Sequence, residues 1–490
     1  MNYDVALTHG VHSLSKQHLL QHFNVGHSQE DLCFALWRPS TAASRLTALI
    51  YEVLIPQEED RLLHGNTSFT PDYMARAITS ARRMNAGLAF MHSHPGTGWQ
   101  EMSPTDVVAE RDVLAYPAAS TEQPLLGLTI GSDGHWSARL WIHNGQAFER
   151  YWCDKVRIIG PRTYEVQFGR YASSPGPRRN VLRRTFDTWG LHGQQTLSRL
   201  HIGIVGLGSV GSSVAESIAR LGVERVTMVD PDEVEEHNLD RLLNATIGDI
   251  GQRKVDVAAK AMRQHSTAAH PQVLTYATSV HEADAYRAIL ECDVIFSCVD
   301  RPIPRDVLNY VANAHLIPVI DGGIAVQLDP LQDGIFSAHW RTQLVTPYHR
   351  CMRCSEQYST GMVMTELDGS LDDPSYLNAL PEDGTSTGAN IFPFSQSLAS
   401  MEVNLMLRYL LAPSWWKKIH GQTHQLVTGE TYIDGERCEP FCAFLDRIAK
   451  GDLEHPFYLT ASVDASDRRP SDKTLLSRLT SFFDRIFGRT

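Results

Sequence analysis

Apolar and polar positions change their spacing three times along the chain. Up to about residue 155, short apolar runs alternate with helical stretches, and 46–55 and Leu125–Ile130 read as strands. The stretch 71–84 reads as a helix, with Thr70 as N-cap and Pro71 at the first helical position. From His201 the order becomes strand, glycine turn, helix: His201–Val205, a turn, then a helix over 212–221 and a strand over 226–229. Val294–Ser297 and 318–320 read as later strands, and the alternation predicts a mainly parallel, doubly wound sheet. Beyond about residue 450, Leu475, Leu476, Leu479, Phe482, Phe483, Ile486 and Phe487 share one helical face, while Lys473, Arg478, Arg485 and Arg489 fall elsewhere. That predicts an amphipathic helix docked on its own protein or on a partner, with an interfacial membrane helix as the rival reading. Residues 173–179 have the composition of a linker.

Length and composition narrow the class. A chain of 490 residues exceeds one ordinary core, so two domains plus extensions are expected. The division read from the pattern is 1–155, a linker at 156–183, a second domain at 184–450 and an extension at 451–490. Hydrophobic residues make up 42% and charged residues 20%, as in a soluble globular protein. A net charge of −12 argues against a dedicated nucleic-acid binder, which needs a basic surface. Met1-Asn2-Tyr3-Asp4 is not a basic patch before an apolar run, and no apolar stretch is long enough to span a bilayer. The expected location is the cytoplasm, where the eight cysteines are better read as metal ligands or free thiols than as disulfides.

The first cluster of candidate chemistry is His92-Ser93-His94-Pro95, followed by Ser103 and Asp106. Two histidines at i and i+2 on a strand end can face one metal. A nearby aspartate supplies a third ligand and leaves the fourth position to water, the arrangement of catalytic zinc. Ser103 would lie near the developing oxyanion and donate to it. A lone His-x-His pair is more often a surface accident; the spaced Ser-x-x-Asp is what gives it weight. Together these residues resemble the JAMM (MPN-type) metalloprotease family, over roughly residues 10–150. The resemblance implies zinc on His92, His94 and Asp106, an oxyanion serine at Ser103, and a general base at a glutamate before a short apolar strand. Glu30 fits that position, with Glu52 and Glu101 as competitors. Eight residues separate His94 from Ser103 where the family pattern usually has seven, so a slightly longer loop is expected around 96–102.

The second cluster is Gly206-x-Gly208-x-x-Gly211, a turn whose backbone N–H groups can meet phosphate. Asp230 follows the next strand, nineteen residues after Gly211, where an acid can bind ribose hydroxyls. A glycine turn alone is a weak signal. Asn238, Arg241 and Lys254 make it stronger, because a hydride-transfer site has no need of an arginine and a lysine there. A site for ATP does, since they can neutralise the triphosphate as pyrophosphate leaves. Asp300, after a later strand, could hold magnesium. The series resembles the ThiF-like family, which includes ubiquitin-activating enzymes and the adenylylating enzymes of sulfur-carrier proteins, over about residues 184–446. The resemblance implies Asp230 on ribose, and Asn238, Arg241 and Lys254 around the phosphates. It also implies that Arg184 reaches the nucleotide of a neighbouring subunit, hence a homodimer. The bland reading of Asn238 and Arg241 is a helix cap and a surface ion pair.

Cys351-x2-Cys354 and Cys438-x3-Cys442 form two close thiol pairs, and four thiolates make a closed, structural zinc site. Cys33, Cys153, Cys292 and Cys298 remain. No cysteine stands between Cys354 and Cys438, where ubiquitin-activating relatives place the thioester cysteine; Thr385-Ser386-Thr387 stands roughly there instead.

The fold class expected is therefore α/β: an N-terminal JAMM-type α/β metalloprotease domain and a C-terminal doubly wound, Rossmann-like ThiF domain. The function expected is that of a bifunctional enzyme of a bacterial ubiquitin-like pathway, using zinc, ATP and magnesium. One half would process or remove a ubiquitin-like protein and the other would adenylate its C-terminal glycine. A separate conjugating enzyme is an expected partner; nucleic acid and membrane are not. Sulfur-carrier or peptide-derived metabolite synthesis by the same chemistry is the alternative, and a scaffold with one dead half is a third reading.

Overall fold

A computed structural model gives the chain two large mixed sheets and a two-stranded hairpin. The structure describes residues 1–459 other than 24–28, 65, 171–179, 330–333, 373–388, 412–420, 436 and 457. The linker at 173–179, the threonine-serine stretch at 385–387 and the amphipathic stretch beyond 472 lie outside the described residues.

The first sheet runs, edge to edge, Tyr164–Phe168, Lys155–Ile159, Asn2–Thr8, Arg45–Leu54, Leu32–Thr41, Gly87–Ser93, Leu125–Ile130, Trp136–His143 and Phe148–Trp152. Its middle is buried on both faces, which explains the near-continuous apolar runs. The helix Pro71–Arg83 covers one face, and it starts as read: Thr70 accepts from the Tyr73 amide at 3.4 Å, Pro71 opens the first turn, and Arg82 and Arg83 close the last.

The second sheet runs Gln272–Tyr276, Arg225–Val229, His201–Val205, Val294–Ser297, Val319–Leu328, Ile335–Val345, Gly421–Gln425 and Thr431–Asp434. Its first four pairings are parallel, as the strand–helix alternation predicts, and its last three are antiparallel. The strand read at 318–320 is only the start of Val319–Leu328, because Gly322 and Gly323 interrupt its apolar run. The helix after the glycine turn begins at Ser209, earlier than its apolar face suggests. Gly208 is the N-cap, and the Ser212 and Ser213 hydroxyls turn back to the Ser209 carbonyl at 3.2 and 2.9 Å.

The boundary at 155 is corrected: Lys155–Ile159 and Tyr164–Phe168 pair into the first sheet, so the stretch read as linker from 156 holds two of its strands. Lys155 and Arg157 hide this strand in the sequence, because both are charged yet buried. They face the second half. Asp293, fully buried, accepts from Lys155 Nζ at 2.6 Å, Arg45 Nη1 at 3.3 Å and the His201 amide at 2.9 Å. Around this charge cluster Ala6, Leu49, Ile159 and Tyr164 share one apolar core with Ile202, Ile204, Val214 and Val226. Asp293 precedes its strand, so the junction lies at the amino-terminal edge of the second sheet. The glycine turn is at the opposite edge, about 16 Å away along a five-residue strand. Among the described residues no helix is long and apolar enough to cross a membrane.

Candidate functional site

Strand register builds the first cluster. Leu32 lies opposite His92 in an antiparallel pair, and the pairing continues as the Ser93 amide donates to the Asp31 carbonyl at 3.0 Å. Glu30 is therefore carried alongside His94. The two Nε2 atoms of His92 and His94 lie 3.2 Å apart, and Asp106 places one oxygen 3.5 Å from His92 and the other 3.2 Å from His94. Three ligands held tetrahedrally by one zinc would stand about 3.3 Å apart, so the donor set fits that ion. Burial raises the Glu30 carboxyl; Asp106 adds to this and His94 opposes it. Burial lowers His92. Burial would raise Asp106 too, but His92 and His94 hold it well below the usual carboxylate range.

Asp106 reaches the histidines because Ser103 and Asp106 form a capping box at the helix Pro104–Val107. The Ser103 amide donates to Asp106 at 2.7 Å, and the Ser103 hydroxyl accepts from the Asp106 amide at 3.2 Å. Capping uses a lone pair of Ser103 and leaves its proton to be directed elsewhere. The longer loop before it is tied down: the Gly98 amide donates to Asp133 at 2.8 Å and the Gln100 amide to Ser137 Oγ at 2.6 Å. Glu52 is exposed opposite Leu36, four positions or about 13 Å along the strand from the His92 level, and does not join the cluster. Glu101 is exposed in the loop.

At the second cluster the backbone is ready for an anion. Gly206 has φ 86°, and a Cβ there would meet the Cys298 carbonyl oxygen at 2.4 Å; one on Gly211 would sit 1.9 Å from the Gly206 oxygen. A Cβ on Gly208 would meet nothing within 4 Å, so this glycine faces open space. The helix Ser209–Arg220 has neither a side-chain cap nor an acid in its first turn, which leaves its amides free for phosphate. Parallel register sets Asp230 beside Gly206, with Cys298 on the other side and the exposed Asp300 just beyond it.

The side chains are less committed. Asp230 is 4% exposed and holds the turn itself, accepting from the Leu207 and Asp232 amides. Burial raises its carboxyl and those two amides oppose the rise. Asn238 takes the bland role of a cap, accepting from the Glu235 amide at 3.1 Å. Arg241 donates to the His237 carbonyl and to Asp240 at 2.7 and 2.8 Å, and Lys254 to Asp232 at 2.8 Å. Arg184 is exposed on the first turn of Arg183–Arg199 and makes no hydrogen bond or ion pair through its side chain with another described residue.

Cys351, Cys354, Cys438 and Cys442 come together, with all four sulfurs within 4.8 Å of one another. The 3.6 Å between Cys351 and Cys442 is close to the roughly 3.8 Å edge of a tetrahedral zinc–thiolate site. The hydrogen bond from Cys438 lowers the Cys351 thiol, toward the thiolate that a zinc ligand must be. Cys33, Cys153 and Cys292 are buried apolar fillers.

Two groups around the sites escape the sequence reading. Beside His92, Thr129 Oγ1 lies 3.3 Å from its Nε2 and accepts from Arg139 at 2.6 Å; Arg139 in turn pairs with Glu110, which also accepts from Trp141. The one available signal is Arg139 itself, an arginine set between Ala138 and the apolar run Leu140-Trp141-Ile142. Asp31 is fully buried against Arg61, and nothing in its neighbours' spacing marks it.

Comparison with known proteins bears on the second half. Residues 181–427 match the ThiF family. The chain is 30% identical over 145 residues to the tRNA threonylcarbamoyladenosine dehydratase of Escherichia coli, covering 29% of this chain and 54% of that protein. It is 29% identical over 144 residues to the molybdopterin-synthase adenylyltransferase of Escherichia coli, covering 29% and 56%. With the adenylyltransferase and sulfurtransferase MOCS3-1 of Zea mays it shares 29% identity over 180 residues, covering 36% and 38%. The chain thus spans about half, or less, of the length of these relatives. Among solved structures, Escherichia coli MccB with ATP superposes on 54% of this chain and 74% of its own, at 16% identity and a TM-score of 0.40.

Proposed function

The chain belongs to the ThiF family, and on that footing we propose that it is bifunctional: the second half adenylates a C-terminal carboxylate with ATP and magnesium, and the first half is a zinc-dependent peptidase or isopeptidase for the same kind of tail. The observation that carries the reading is the pairing, on one chain, of a His–His–Asp cluster at metal-ligand spacing with a glycine turn open to phosphate. Two of the matched relatives carry adenylyltransferase in their names, which supports the second activity.

In the first half, His92, His94 and Asp106 would hold zinc, which when bound polarises a carbonyl and acidifies a water. Glu30, raised by burial, is suited to take up a proton and return it to the leaving amine. Ser103 is suited to donate to the oxyanion. In the second half, the amides around Gly208 and Ser209 receive phosphate. Lys254 and Arg241 must leave Asp232 and Asp240 to neutralise the departing pyrophosphate. A carboxylate oxygen then displaces pyrophosphate from the α-phosphorus, giving an acyl adenylate, and Asp300 would hold the magnesium. Arg184 is the residue through which a homodimer would complete the site.

The missing cysteine between Cys354 and Cys438 favours a second reading, in which the acyl adenylate passes straight to a partner in sulfur-carrier or peptide-derived metabolite synthesis. A Glu30→Ala chain, tagged and expressed in its own host, separates the readings by intact mass of what it retains. A small protein with residues beyond a Gly-Gly motif supports processing before activation, and a lysine- or serine-linked adduct places the protease after conjugation. Retention of only a short peptide or small molecule replaces the first reading with the second.

A further inference from the structure

We propose that Asp31 is a positioning residue for the first-half reaction: it fixes Glu30 against the histidine pair and is itself held by Arg61 of the hairpin Arg61–His64 and Asn66–Phe69. This rests on the reading of Glu30 as the group that takes up the proton.

Asp31 stands between Glu30 and Leu32, the residue opposite His92. Both sides of its peptide are clamped to Ser93, which lies between the two histidines: the Ser93 amide donates to the Asp31 carbonyl at 3.0 Å, and the Asp31 amide to Ser93 Oγ at 3.0 Å. Its carboxylate is fully buried and fully engaged. Arg61 Nε lies 2.7 Å from Oδ1 and Nη2 3.2 Å from Oδ2; Gln21 donates at 2.8 Å, and so does the Leu32 amide. His22 and His18 face it at 3.3 and 3.6 Å. On the other side of Glu30, Gln29 donates to the Asn66 carbonyl of the same hairpin at 3.1 Å. Glu30 is thus gripped from both neighbours, while its own side chain makes no hydrogen bond to a described residue and stays free to act. A buried carboxylate with this many donors exceeds what a strand end needs, and Arg61, Gln21 and the Leu32 amide together offset the cost of burying it. Its consequence is placement: a base displaced by about 1 Å loses on the order of a hundredfold in rate.

The test uses the full zinc-loaded chain and a short peptide ending in Gly-Gly joined to aminomethylcoumarin. Asp31→Asn is expected to lower kcat about 30- to 100-fold, with KM within about threefold of wild type. Zinc content is expected to stay at the wild-type value, the melting temperature to fall because Arg61 loses its buried partner while the chain stays folded at the assay temperature, and Arg61→Lys to keep more kcat than Arg61→Gln. A kcat within about threefold of wild type, or a loss that follows zinc loss or unfolding, overturns the proposal. Glu30→Gln separates the two claims: if it cleaves as well as wild type, or if wild type does not cleave, the hydrolase reading falls. Asp31 is then judged without substrate, from the visible band of the chain carrying cobalt at the histidine site and zinc at the cysteines. Asp31→Asn is expected to move that band in the direction Glu30→Gln does; a band that Asp31→Asn leaves unmoved overturns the proposal.

Discussion

At the His92–His94–Asp106 cluster, side chains from a strand end and a short helix already stand 3.2 to 3.5 Å apart, at the spacing of ligands to one ion. At the glycine turn the prepared part is backbone. There the cations read as phosphate ligands are occupied by neighbouring acids, Lys254 by Asp232 and Arg241 by Asp240. A metal ion needs its donors converged before it binds, because each must be deprotonated and aimed at one point. A nucleotide brings its own charge and can draw cations away from exposed carboxylates, whose pairs contribute little. The first site is therefore organised by burial and register, and the second by conformation at Gly206 and Gly211.

The sharpest break between the two is His94→Ala. It is expected to abolish zinc binding at the first site and all hydrolysis there, while ATP affinity by calorimetry stays within about twofold because the sites share no residue. Comparable ATP loss would mean that the halves are not separable. Next comes a pair of glycine variants. Gly211→Ala forces a Cβ to 1.9 Å from a backbone oxygen and is expected to destabilise the chain by about 3 kcal/mol in chemical denaturation. Gly208→Ala enters open space, so its melting temperature should hold while ATP affinity falls about tenfold. Equal effects of the two would refute the division between a turn that folds and a turn that binds.

The junction should be more sensitive to acid than either site. His201 and His315 are buried at the junction and held down to about 3 from 6.5, mainly by burial. The folded state excludes a proton that the unfolded state accepts, so stability is full above pH 6.5 and falls as pH drops toward about 3. Within that window each histidine costs about 1.4 kcal/mol per pH unit. Asp293 keeps its charge there, since burial would raise it but Lys155 and Arg45 hold it far below the usual range. Urea midpoints at pH 7 and pH 5 measure the slope; no difference would contradict the dry junction. The smallest effect is expected from Asp232→Ala, which frees Lys254 and should tighten ATP binding only a few-fold, about 0.5–1 kcal/mol.

Local signals in the sequence carried well where chemistry and backbone coincide. Thr70 and Pro71 announce a helix start by capping alone, the glycine turn announces its strand and helix, and the four cysteines converge as their spacing suggests. Register-dependent features carried less well. Glu30 is preferred to Glu52 in the sequence through the family resemblance alone; that it comes alongside His94 depends on Leu32 pairing with His92, a choice made by the whole sheet. Lys155 and Arg157 look like linker charges until Asp293, more than a hundred residues away, is brought beside them. Arg139 and Glu110 likewise become a pair only once the sheet and the segment after Asp106 have packed. Asn238 is a motif residue whose side-chain oxygen here takes the cap role, the plainer of the two readings its sequence position offers.

The most direct measurement of the account is native mass spectrometry of the full chain with zinc, magnesium and ATP, alongside His94→Ala, Cys351→Ser and Gly208→Ala. The account predicts two zinc ions and one nucleotide per chain. His94→Ala should remove one zinc and keep the nucleotide, Cys351→Ser should remove the other zinc, and Gly208→Ala should keep both zincs and bind nucleotide about tenfold more weakly. A wild-type chain with a single zinc that His94→Ala does not remove, or with nucleotide binding indifferent to Gly208, would contradict it.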